Sequence, residues 1–290
     1  VTAELERQAA EAAARFRADH HLGVQPLGDL VAIVEQTTGI DVAVLEAGPD
    51  EHGLTMRDRA RGTVFIGVAR TPHPMRQRST LAHELGHVQF GDWEEGGPGG
   101  GAGRAPAEAR ADSFARHLLV PAEGLKEFLD DQQPISESTL SAVVQRFLVS
   151  PALAAIALRQ AGYIDADRAV TWRGIFTPQL AVRHGWQDQY RALQADSDRR
   201  RAPQRLLARA IRGYAEGVLS AQAVATLRGV PLPEVEAELR DAGVVPAATT
   251  ASWADPADLP DVDVDLAALD EALDGSDDSR GTDDAAQGPR

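Results

Sequence analysis

Five residues constrain this chain more than any others: HELGH, at positions 83–87. On a helix, histidines at i and i+4 share one face and lie about one turn apart. On such a helix His83 and His87 aim both imidazoles at one point, which suits two ligands of a tetrahedral Zn²⁺. Glu84 projects from the flank of that face, where it reaches a water beside the metal rather than the metal itself, the position of a general base. The pattern arises by chance in roughly one in seventy chains of this composition. Its surroundings therefore decide what it means.

The hydrophobic period turns helical from about residue 75 and runs to Phe90, with Gly91 as the stop. A catalytic zinc keeps three protein ligands and leaves a fourth position open. Val88, Gln89 and Phe90 follow His87, so no third histidine is close in sequence. A second helix expected over 106–119, ending at Pro121, offers a carboxylate instead. Glu108 and Asp112 lie four apart on one face. Glu108 can then complete the ligand set while Asp112 accepts from the free N–H of a ligand histidine and fixes its tautomer. His117 falls on the opposite face. Ala111, Phe114, Ala115, Leu118 and Leu119 give this helix an apolar surface to lay beside the HELGH helix, and Arg110 and Arg116 read as solvated. Two carboxylates in a first helical turn are favoured there by the helix dipole alone. The HELGH upstream is what turns the balance toward ligation.

Before the HELGH segment, residues 3–20 and 27–38 read as helices and 41–46, 54–57 and 63–68 as strands. Turn residues between the strands predict an antiparallel meander. Residues 63–68, immediately ahead of the HELGH helix, are the candidate edge strand for pairing with an extended peptide. The run GGPGGGAG at 96–103 is loop by composition. From residue 138 onward the chain reads as helical, in two helix-turn-helix-like units, 140–147 with 151–161 and 204–217 with 220–243.

Composition narrows the function. Asp and Glu number 44 against 29 Lys and Arg, a net charge of −15 that disfavours broad attraction to nucleic acid. The absence of cysteine excludes disulfides, zinc ribbons and a thiol nucleophile. No run approaches 18 apolar residues and residues 1–21 show no apolar signal region, so a cytoplasmic protein with no membrane association is expected. Residues 254–290 hold twelve acidic residues against Arg280 and Arg290 and read as a disordered tail. A competing reading, a DNA-binding regulator, meets an obstacle in charge: 233–242 carries Glu234, Glu236, Glu238 and Asp241 against Arg240. The cluster Arg199, Arg200, Arg201, Arg205, Arg209 and Arg212 is the one region suited to phosphate, and a solvated helix start explains it as well. Nucleic-acid binding is thus expected to be weak or absent. His73, Tyr163, His184 and Tyr190 are candidates to stabilise an oxyanion, and sequence assigns none of them.

The paired segments RSTLAHELGHVQFGD (78–92) and EARADSFARHLLVP (108–121) resemble the motifs of the ImmA/IrrE family of metallopeptidases. Ser79 departs from the bulky apolar residue expected there, and the glycine-rich loop is longer than expected. The resemblance implies an α+β, zincin-like catalytic domain with one zinc held by His83, His87 and Glu108 and with Glu84 as catalytic base. It also implies a protein partner, since members cleave helix-turn-helix repressors and so relieve repression. The organisation that follows is a zincin-like domain over 1–135, a helical region over 136–245 and a disordered acidic tail over 246–290. The alternative is a non-catalytic repressor-binding or DNA-binding module on the same fold.

Overall fold

Three short strands form one mixed sheet in the computed structural model, which describes residues 2–48, 52–92, 104–130, 134–247 and 266–267. The strands are β1 (Asp41–Leu45), β2 (Gly53–Asp58) and β3 (Thr63–Ala69), in the order β1-β3-β2. β1 runs parallel to β3, with Asp41 opposite Phe65, and β2 runs antiparallel to it, with Gly53 opposite Val68. The expected antiparallel meander is therefore corrected. Its second turn holds: Asp58 accepts from the N–H groups of Ala60 and Arg61, and Gly62 takes a positive φ of 66° that only glycine adopts without strain. After β1, however, the chain crosses to the far side of β3 instead of folding back beside itself. β3 is the longest of the three strands, with Ile66, Gly67 and Val68 buried, and it takes the centre where both edges are paired.

It follows that 63–68 is not an edge strand. Among the described residues no strand pairs with the outer side of β2, which is largely exposed. The outer edge of β1 is partly covered, because Val44 and Arg201 exchange backbone hydrogen bonds of 2.8 and 3.0 Å.

Helices surround the sheet: α1 (Ala3–Asp19), α2 (Leu30–Thr38), α3 (Pro74–Phe90), α4 (Arg104–Leu119) and α5 (Ala122–Leu129). α2 begins later than its apolar pattern suggests because the Asp29 side chain caps it, accepting from the Ala32 N–H. The helical C-terminal part comprises α6 (Glu137–Phe147), α7 (Pro151–Gln160), α8 (Ala166–Arg173), α9 (Thr177–Arg183), α10 (Gln187–Ser197), α11 (Gln204–Ala215), α12 (Ala221–Arg228) and α13 (Leu232–Asp241). Gly229 and Pro231 divide into α12 and α13 what periodicity reads as one helix over 220–243.

One apolar core runs without a break from Ala9 to Tyr190, so α6 and α7 share it with the sheet, α3 and α4. A second, smaller cluster joins α11, α12 and α13 around Val224, Ala225 and Val235. Ala154, Ala155 and Leu158 of α7 are buried in the main core, which removes this helix from service in a DNA groove. Among the described residues no single helix is long and apolar enough to cross a membrane. The glycine-rich segment 96–103 and the tail beyond 247, residues 266 and 267 apart, lie outside the described residues.

Candidate metal centre

α3 starts on Pro74, whose missing N–H costs a first helical turn nothing, and stops at Gly91 in the left-handed conformation. Leu81, Ala82, Leu85 and Gly86 turn into the core, leaving His83, Glu84 and His87 on the partly buried flank. Gly86 decides how near α4 can come. A Cβ at that position would stand 3.1 Å from Ala111 Cα and 3.2 Å from Phe114 Cδ1. A side chain there would push α4 back by some tenths of an ångström, and Glu108 sits one turn before Ala111 on the same helix. The close approach brings Glu108 against the two histidines.

Three ligand atoms converge there. His83 Nε2 lies 3.0 Å from His87 Nε2 and 3.1 Å from Glu108 Oε2, which is 3.7 Å from His87 Nε2. With bonds of about 2.0–2.1 Å, two ligands of a tetrahedral zinc stand about 3.3–3.4 Å apart. The triangle therefore has the size of one tetrahedral face, and His83, His87 and Glu108 form a group that could hold a metal ion. Asp112 Oδ1 lies 2.7 Å from His83 Nδ1, so the tautomer that donates to Asp112 leaves the Nε2 lone pair facing the other ligands. Burial works against a charge on His83, but the hydrogen bond to Asp112 and the charges of Asp112, Glu84 and Glu108 outweigh it and raise its pKa. Two Nε2 atoms at this spacing, with a carboxylate between them, make a site that a cation relieves.

Glu84 stands on the flank of this group, toward β2. Its Oε2 accepts from Thr55 Oγ1 at 2.7 Å. Gly53 leaves the space its other oxygen occupies, since a Cβ there would come within 2.7 Å of Oε1. Thr55 is a contact that no sequence spacing announces, because β2 and α3 meet only through the fold. Asp92 is a second such residue: the left-handed turn at Gly91 folds it back onto α3, its N–H donating to the His87 carbonyl.

Arg110 and Arg116 are not solvated, contrary to expectation. Arg110 donates to Asp92 at 2.6 Å and lies over the Phe90 ring. Arg116 is buried, donating to Glu6 and Gln160 and so joining α4 to α1 and α7. Of the oxyanion candidates, Tyr190 is buried edge-on to Trp186, His184 lies 3.6 Å from Glu137, and His73 is the N-cap residue of α3. Within the basic cluster Arg201 pairs with Asp29, Arg205 with Asp41 and Arg199 with Asp196, so half of it serves internal ion pairs.

Two histidines on one helix, a glutamate from the next and a carboxylate on the flank define the centre of a metallopeptidase domain. Residues 36–159, from the end of α2 through α7, match the IrrE N-terminal-like domain of peptidase family M78. Over those residues the chain is similar to the metallopeptidase domain of that family. No curated protein matches the chain.

Proposed function

We propose that this protein is a cytoplasmic zinc-dependent endopeptidase that cleaves a helix-turn-helix transcriptional repressor. The observation that carries the reading is the convergence of His83, His87 and Glu108 with Glu84 beside them and the largely exposed strand β2 next to Glu84. Two imidazole nitrogens and a carboxylate oxygen suit one zinc per chain, and His83, His87 and Glu108 would hold it. A divalent ion at this position supplies the Lewis acidity that peptide hydrolysis requires.

The remaining work belongs to the chain's own side chains. Glu84 takes the proton of the attacking water and returns it to the leaving amine. Thr55 holds one oxygen of Glu84 and leaves the other to handle that proton. An extended segment of substrate adds by backbone hydrogen bonds to the outer side of β2, where no described strand pairs, and its scissile bond then lies beside Glu84. The repressor as substrate follows from the family resemblance. It is supported by a binding edge that recognises backbone, and so suits a protein partner rather than a small molecule.

The test uses the purified full chain, its metal content and a helix-turn-helix repressor encoded beside it. About one zinc per chain is expected, lost in His83→Ala and Glu108→Ala. Glu84→Gln should retain the zinc while cleavage, followed by mass spectrometry, falls by about 10²–10⁴-fold. Full zinc retention by Glu108→Ala would refute the ligand set, and undiminished cleavage by Glu84→Gln would refute the base.

A further inference from the structure

We propose that Asp92 is the positioning residue of His87 and that Arg110 locks it in place, so that each ligand histidine is oriented by its own carboxylate. The inference rests on the reading of His87 as a metal ligand.

The evidence is three buried atoms without hydrogen-bond partners in one cluster: His87 Nδ1, Asp92 Oδ2 and Arg110 Nε. His87 Nδ1 and Asp92 Oδ2 are both buried and neither makes a hydrogen bond, yet they lie 3.5 Å apart. Buried polar groups are nearly always satisfied, and an exception calls for a physical explanation. Asp92 is held at two points. Its N–H donates to the His87 carbonyl at 2.9 Å, and its other oxygen receives Arg110 Nη2 at 2.6 Å. The Arg110 guanidinium is itself held over the Phe90 ring, 4.2 Å from its centre. With backbone and Oδ1 both held, Oδ2 has two unsatisfied buried donors to choose between, Arg110 Nε and His87 Nδ1, and it lies 3.5 Å from the histidine nitrogen, which the imidazole would close by turning toward it.

That hydrogen bond has a defined consequence. An Nδ1–H donating to Asp92 puts the lone pair on Nε2, the atom that faces His83 and Glu108. Orientation by Asp92 would be firmer than that given by Asp112, since the Asp92 side chain is 18% exposed and the Asp112 side chain 72%. Arg110 stands two positions after Glu108 on α4. The helix that supplies the third ligand therefore also fixes the carboxylate that orients the second, and α3 and α4 are clasped on both sides of the site.

The experiment measures zinc affinity of the full chain by competition with a chromophoric chelator, together with the visible absorption of the Co²⁺-substituted protein. Asp92→Ala should bind zinc about 10–100-fold more weakly and shift the cobalt bands. Asp92→Asn keeps an accepting oxygen and should recover most of the affinity, and Arg110→Ala should fall between the two. Wild-type affinity and unshifted cobalt bands in both Asp92→Ala and Arg110→Ala would overturn the proposal. So would a lowered melting temperature with unchanged zinc affinity, which marks a purely structural role. If the wild-type chain itself binds no zinc, the ligand reading fails and this inference with it. If the wild type binds and Asp92→Ala binds equally, this inference alone fails.

Discussion

Gly86 offers the sharpest test of the packing that makes the centre, because two effects of opposite sign meet there. Replacing a glycine inside a helix by alanine ordinarily stabilises by about 1 kcal/mol. Here the added Cβ would meet Ala111 Cα at 3.1 Å and Phe114 Cδ1 at 3.2 Å, each some tenths of an ångström too close. Neither neighbour can yield alone: one is the backbone of α4, and the Phe114 ring is wedged edge-on between Phe16 and Phe90. α4 must move as a body. Overpacking of this kind costs about 1–3 kcal/mol, so Gly86→Ala should be less stable than wild type by about 1 kcal/mol net. The larger effect falls on metal binding. Separation of the helices relieves the strain in the metal-free protein, and ligation must draw Glu108 back against it. A strain of about 1–2 kcal/mol corresponds to a 5–30-fold loss of zinc affinity. Urea unfolding of the metal-free protein and chelator competition measure the two quantities separately. A Gly86→Ala protein that gains stability and binds zinc as tightly as wild type would refute the claim that this contact sets the position of Glu108.

Other perturbations probe neighbouring contacts. Thr55→Val removes the hydrogen bond to Glu84 without changing volume, and peptide cleavage should fall about tenfold while zinc content stays at the wild-type level, as followed by steady-state kinetics. Glu6 tests the clasp between α1 and α4. Its burial acts to raise the carboxyl pKa, but hydrogen bonds from Arg116, Ser113 and His117 outweigh this and hold it at about 2, below the ordinary 4.5. A pKa depressed by folding contributes stability that is present above about pH 4.5 and lost as the pH falls toward 2. The difference in unfolding free energy between wild type and Glu6→Gln should thus be about 2 kcal/mol near neutrality, after allowance for partial exposure, and should vanish across that window. A difference independent of pH would show that the carboxylate charge is not what matters.

What the sequence settled by itself is local. The i, i+4 spacing of His83 and His87 fixes their common face once α3 forms, and Glu108 with Asp112 obeys the same rule on α4. Helix periodicity repeats within a few residues, so α3 and α4 were legible nearly to their ends. The tertiary structure decided what no short window contains. The order β1-β3-β2 came from β3 taking the buried centre, which put β2 on the outside and brought Thr55 to Glu84. The approach of α4 to α3 came from a glycine whose importance lies in what it meets, and the turn at Gly91 sent Asp92 back toward His87. Strand neighbours and distances between helices depend on which apolar surfaces find each other across the chain, whereas a helical face depends on backbone geometry alone.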